Sequence, residues 1–128
     1  MSAEPVRVLI VDDHIDAAES LAIVLSTEGY DVRTETDGAD AYETIRQWRP
    51  HVALIDLGLP SVSGLELARQ VRALDFGSAL LLAAVTGYGR QSDRHSSEQA
   101  GFDAHLVKPV EPDEVLLWLS SAGVSRAK

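Results

Sequence analysis

The chain has 128 residues, a net charge of −9 and no cysteine. That length suits one domain with its own core, and the missing thiols exclude disulfide frameworks and thiolate metal sites and fit a reducing, cytoplasmic setting. The acidity excludes nonspecific nucleic-acid binding, which needs Lys and Arg against phosphates, and leaves a basic protein partner, a cation or plain solubility as its meaning.

The opening "MSAEPVRVLIVDD" reads as a natural start without a basic flank or cleavage pattern, and no apolar run approaches membrane-spanning length, so no membrane insertion is expected. The first apolar run, "VRVLIV" (6–11), has strand length and leads into Asp12 and Asp13. Ala18, Leu21, Ala22 and Leu25 follow at helical spacing, with Gly29 where a helix C-terminus favours a left-handed residue. "YDVRTE" (30–35) is the second strand, and Ala41, Ile45 and Trp48 form a second helical stripe that Pro50 stops. The third strand, "HVALI" (51–55), runs into one bare acid, Asp56, before Gly58 and Pro60 break it. Leu65, Ala68 and Val71, after Gly64, mark a third helix, and "ALLLAAV" (79–85) is a fourth strand delivering Thr86.

The segment "RQSDRHSSEQ" (90–99) holds no aliphatic or aromatic residue and reads either as a marginal, mobile helix or as a loop. "DAHLV" (103–107) is the fifth strand and delivers Lys108 and Pro109, whose peptide bond, if cis, would turn the amine inward. Glu111, Pro112, Asp113 and Glu114 open the last helix with proline and acids where the helix dipole and the missing donors favour them. Its "VLLWL" (115–119) is apolar for more than a turn; either the helix is well buried or Leu117 and Trp118 are exposed to a partner or dimer mate.

Strands alternating with helices imply parallel βαβ units with right-handed crossovers, and the first, third and fourth runs are apolar enough to be buried on both faces. The expected fold is an α/β doubly wound parallel sheet of five strands with helices on both faces. In such sheets the functional crevice lies beyond the carboxyl ends of the strands. There the chain delivers Asp12, Asp13, Asp56, Thr86 and Lys108. Asp12 and Asp13 read alone are helix caps, Thr86 a turn hydroxyl and Lys108 a surface amine. Together, three carboxylates repel one another unless a cation lies among them, and oxygen ligands of this kind suit Mg²⁺ with water and a phosphoryl oxygen.

The segments "VLIVDDH", "LIDLGLPSVSGLEL", "AAVTGYG" and "HLVKPV", in this order and spacing, resemble the receiver domain of two-component response regulators over nearly the whole chain. The resemblance implies a CheY-like, flavodoxin-like (βα)₅ fold with strand order 2-1-3-4-5, a single domain over 1–128 and a core of about 6–121. It implies that Asp56 accepts a phosphoryl group from a histidine kinase or a histidine phosphotransfer protein. Mg²⁺, with Mn²⁺ as a substitute, would be bound directly by Asp13, by Asp12 directly or through water, by Asp56 and by the Gly58 carbonyl. Thr86 and Lys108 would hold the phosphoryl oxygens. The family's switching aromatic on the fifth strand is here His105, which puts that step in question. Gly58 and Tyr88, two residues after Asp56 and Thr86, are placed to tune the lifetime of the acyl phosphate, with slow self-dephosphorylation expected. The fourth helix, fifth strand and fifth helix form the family's usual output face and a candidate homodimer surface. The stretch "AGFDAHLVKPVEPDEV" most resembles receivers of hybrid sensor kinases, and the chain is expected to be either a stand-alone receiver or one cut from a larger protein.

Three rivals compete with this reading. An aspartyl phosphohydrolase needs a second acid two residues after the nucleophile, where Gly58 stands. A flavodoxin-like cofactor carrier needs phosphate-binding hydroxyls and amides in the first loop, where "VDDH" presents two negative charges. A receiver reduced to phosphorylation-independent docking would have no use for the complete set of acids, threonine and lysine.

Overall fold

The computed structural model describes residues 5–59, 62–87 and 91–122, with the backbone alone for 91–95. Five strands alternate with five α-helices: β1 (Arg7–Val11), α1 (Ile15–Thr27), β2 (Asp31–Glu35), α2 (Gly38–Trp48), β3 (Val52–Asp56), α3 (Gly64–Arg72), β4 (Leu81–Thr86), α4 (Gln91–Ala100), β5 (Ala104–Val107) and α5 (Pro112–Ser121). The strands form one sheet in the order β2-β1-β3-β4-β5, and every pairing is parallel. The doubly wound, five-stranded expectation holds in both topology and strand order. No described helix is long and apolar enough to cross a membrane.

Side chains alternate across each strand, so a continuous apolar run feeds two cores at once. Leu9, Val11, Ala53, Ile55, Leu82 and Ala84 meet α2 and α3 through Ala41, Ile45, Leu67 and Val71. Val8, Ile10, Val52, Leu54, Ala83 and Val85 turn the other way and meet α1 and α5 through Ala18, Leu25, Val115 and Leu119. The central strand β3 is buried along its whole length, whereas the edge strands β2 and β5 are not. Their polar residues have a solvated side to occupy.

Several boundaries differ from the sequence reading. Asp56 and Thr86 are the last residues of β3 and β4 rather than residues beyond them, because Asp56 is in register with Val85 and Thr86 with Val107. Ala79 closes a short 3-10 turn, Gly77–Ala79, instead of opening β4. Neither alternative for α5 holds whole: Leu117 is 73% exposed, whereas Trp118 is half-buried against the α1/α5 core. The polar segment 91–100 is a helix after all. Small residues seat it: Ser97 and Ala100 are buried, and Phe102 just beyond completes the α3-side core.

The ends of the helices follow local chemistry. Gly29 adopts φ 101° after α1, as its position predicts. Ser63 caps α3 by accepting the Glu66 N–H at 3.2 Å. At the start of α3, Gly64 lies so close to β3 that a Cβ there would stand 2.6 Å from the Asp56 carbonyl oxygen and 2.8 Å from Leu57 Cα. Neither neighbour is a flexible side chain. Gly64→Ala is therefore expected to lower the unfolding free energy by about 1–3 kcal/mol through overpacking, read from urea denaturation; an unchanged midpoint would contradict the contact.

Candidate functional site

The carboxyl ends of the strands are stitched together by backbone hydrogen bonds that continue each parallel ladder to the predicted residues. Asp12 N–H donates to Glu35 O at 3.0 Å, Leu57 N–H to Val85 O at 2.9 Å, and Lys108 N–H to Thr86 O at 2.8 Å. Asp12, Asp56, Thr86 and Lys108 are thus placed by sheet geometry rather than by loop conformation. Strand elements hold a site more tightly than loops do.

Asp56 is almost fully buried. Its Oδ2 accepts a hydrogen bond from Lys108 Nζ at 2.9 Å, and its Oδ1 accepts one from Gly58 N–H at 2.9 Å. The same ammonium lies 3.4 Å from Asp12 Oδ2. A buried carboxylate needs an opposite charge and hydrogen bonds to offset lost hydration, and Lys108 with Gly58 supplies both. Partial burial is the largest single influence on Lys108 and disfavours its charge. The hydrogen bond and charge of Asp56, joined by those of Asp12, together outweigh burial and raise the amine above its ordinary value. The Lys108–Pro109 peptide bond is cis.

Asp12, Asp13, His14 and Asp56 form a group in which one ligand atom from each residue lies within 4.8 Å of all the others. The carboxylate oxygens are the hard donors that Mg²⁺ takes, so the residues present fit such an ion. Asp13 is exposed and Asp12 buried, which gives any ion an open side toward solvent. His14 is the member that sequence reasoning missed. Its ring Nδ1 lies 3.2 Å from Asp12 Oδ1 and 3.3 Å from Asp13 Oδ1. The signal was its adjacency to the acid pair in "VDDH".

Thr86 and His105 occupy the α4-facing side of neighbouring strands, since Ala84 pairs with His105 and Thr86 with Val107. His105 Nδ1 is 3.3 Å from the hydroxyl of Ser97, buried on α4. His105 therefore stands where the switching aromatic is expected, and it reaches α4 through a polar contact. Tyr88 lies outside the described residues.

A parallel doubly wound sheet in the order β2-β1-β3-β4-β5, whose edge gathers two consecutive acids, a central aspartate, a threonine and a lysine, has the architecture of a receiver domain. A family model described as "Response regulator receiver domain" matches residues 8–119, and the chain belongs to that family. It is 36% identical over 91% of its length to the probable transcriptional regulatory protein TcrX of Mycobacterium tuberculosis, of which it covers 49%. The chain spans about half the length of TcrX and of the MprA response regulators it also matches. Among solved structures, a CheY-like receiver domain protein from Methanospirillum hungatei aligns with TM-score 0.83 and 32% identity, covering 91% of each chain. The receiver domain of sensor histidine kinase PA1611 from Pseudomonas aeruginosa, with a magnesium ion coordinated in its active site cleft, aligns with TM-score 0.84 and 28% identity, covering 92% of this chain and 97% of that one.

The raised basicity of Lys108 has a stability consequence with a definite sign. A lysine whose folded pKa exceeds its unfolded value contributes stability that is complete below the ordinary 10.5 and lost as pH rises through the higher folded value. The difference in unfolding free energy between wild type and Lys108→Met is expected to stay constant through the neutral range and shrink only above pH 10.5. Parallel denaturation series at stepped pH measure it. A difference that vanishes between pH 7 and 9 would contradict the ion pair.

Proposed function

We propose that the chain is a phosphoacceptor receiver: a single domain that takes a phosphoryl group onto Asp56 from a phosphohistidine and changes shape to signal. The observation that carries this reading is the Lys108–Asp56 contact of 2.9 Å at the mouth of a fully buried strand. It presents a desolvated carboxylate beside a fixed cation, ready to receive a group that brings more negative charge. An Asp56 carboxylate oxygen attacks phosphorus, the phosphorus–nitrogen bond of the donor imidazole breaks, and the departing ring keeps the bonding pair and takes a proton. Positioning and charge neutralisation supply most of the catalysis in such transfers. Lys108 pairs with the phosphoryl oxygens and the Thr86 hydroxyl hydrogen-bonds them.

Asp12, Asp13, Asp56 and the Gly58 carbonyl would hold Mg²⁺, with Mn²⁺ as a substitute. When bound, the ion offsets charge on the transferred group. The magnesium-bearing PA1611 receiver supports this assignment. The donor is a histidine kinase or histidine phosphotransfer protein. An open cleft of about 560 Å³ beside Asp12 and Lys108, lined by Ile10, Ala18, Leu21, Leu54, Val85 and Val110, gives an apolar part of such a partner a place to rest next to the phosphoryl site. The module signals rather than turning over a substrate, in line with TcrX and MprA, whose names describe regulators. A homodimer through α4, β5 and α5 is the corresponding output arrangement, and Leu117 on α5 is exposed.

Incubation with Mg²⁺ and acetyl phosphate, followed by intact mass measurement, is expected to add one phosphoryl group to wild type and none to Asp56→Asn. No added mass on wild type would leave phosphorylation-independent docking as the better reading. After donor removal the group should persist, because Gly58 has no side chain to position water; Gly58→Glu should shorten its lifetime.

The switch is proposed to run from Thr86 to His105. Phosphorylation draws Thr86 toward the new oxygens, and His105, on the same side of the sheet, follows and alters its contact with Ser97 on α4. His105→Tyr is expected to abolish the change in α4 amide shifts that beryllofluoride, a phosphoryl mimic, produces in wild type. An identical response in the variant would remove His105 from the pathway.

A further inference from the structure

One residue of the cluster formed by Asp12, Asp13, His14 and Asp56 is not an acid. We infer that His14 is a metal ligand, so that this chain's site takes borderline first-row ions such as Co²⁺ in preference to Mg²⁺, through an imidazole nitrogen added to the carboxylate oxygens. The inference deepens the receiver reading and rests on its cation site, but it concerns which ion the site selects.

Three features carry it. First, the spacing fits: ligands opposite one another on such an ion are separated by about 4.2 Å, and the four donor atoms of Asp12, Asp13, His14 and Asp56 already lie within 4.8 Å of one another. A small side-chain rotation closes that gap. Second, the imidazole is held in place. His14 N–H donates to Asp12 Oδ1 at 2.9 Å, which ties the ring's backbone to one of the carboxylates it would share an ion with. His14 is also the N-cap residue of α1, in extended conformation, yet its side chain makes no capping hydrogen bond. The ring is turned instead to the acids. Third, the ring is largely exposed, so an ion reaches it from solvent without opening the core.

The chemistry sets the direction of selectivity. Mg²⁺ prefers oxygen and keeps its waters, so an imidazole gives it little. Affinity of nitrogen-containing sites rises from Mn²⁺ through Co²⁺ to Cu²⁺, so the same imidazole strengthens Co²⁺ binding. The competing account makes His14 a fixed positive charge lodged between two carboxylates. A charge in that place repels every cation alike.

The two accounts predict opposite signs. Co²⁺ and Mg²⁺ are titrated separately into the full chain by calorimetry under identical conditions, and the visible d–d absorption of bound Co²⁺ is recorded. In His14→Ala the Co²⁺ affinity should fall at least about ten-fold and the d–d band should shift, while Mg²⁺ binding holds. Asp13→Asn should weaken both ions. Unchanged Co²⁺ affinity in His14→Ala, or a gain in affinity for both ions, would overturn the assignment. Acetyl phosphate labelling of wild type with Mg²⁺ judges the receiver reading separately, so the failure of one is not mistaken for the failure of the other.

Discussion

A carboxylate at the end of a fully buried strand, beside a second buried aspartate, is costly unless a cation stands between them. Lys108 meets that need: its ammonium is 2.9 Å from Asp56 and 3.4 Å from Asp12. Much of the architecture serves to put the amine there. β5 ends one residue before it, its backbone N–H is fixed to Thr86, and Thr86 is itself the terminal residue of β4. The ion pair thus reports the relative position of three strand ends. A group added to Asp56 has to renegotiate that pair first, which makes the contact both an anchor of the resting site and the first thing a phosphoryl group would disturb.

Two faces of the sheet divide the remaining work. On one, α1 and α5 pack over Val8, Ile10, Leu54 and Val85 and frame the cleft beside Asp12 and Lys108. On the other, α4 is tied to β5 by Ser97 and His105. The α4–β5 turn is also held from below by Arg72 at the end of α3, whose guanidinium donates to the carbonyls of Gly77, Leu80 and Gly101 and to Asp103. Asp103 in turn accepts the N–H of Leu82 at 2.9 Å. The C-terminal end of α4 is therefore anchored to the start of β4, and Ser97, in the last turn of α4, meets His105 beside that anchor.

The sequence made the sheet legible because buried parallel strands leave continuous apolar runs, and "VRVLIV", "HVALI" and "ALLLAAV" have no other ready interpretation. The site was legible for a related reason. Asp12, Asp56 and Thr86 each follow such a run at once and Lys108 follows the shorter edge strand β5, so topology alone brings them to one edge. What escaped was decided by tertiary packing. The helix over 91–100 lacks an apolar stripe, and it is seated by the small residues Ser97 and Ala100 against neighbours distant in sequence. Trp118 belongs to a run that is apolar all round, from which no periodicity says which residue turns inward. His14 was passed over because a histidine beside two acids has no helical or strand spacing to mark it. The contacts of its ring Nδ1 with Asp12 and Asp13 appear only in the folded loop.

The claim on which the account depends is that one particular oxygen-bearing side chain becomes an acyl phosphate. Borohydride reduction of the phosphorylated chain, followed by proteolysis and peptide sequencing by mass spectrometry, tests it most directly, because reduction converts a phosphorylated aspartate to homoserine and leaves the other acids untouched. Homoserine at position 56 alone is the predicted result. Homoserine at position 12 or 13, or at none of the three, would contradict it.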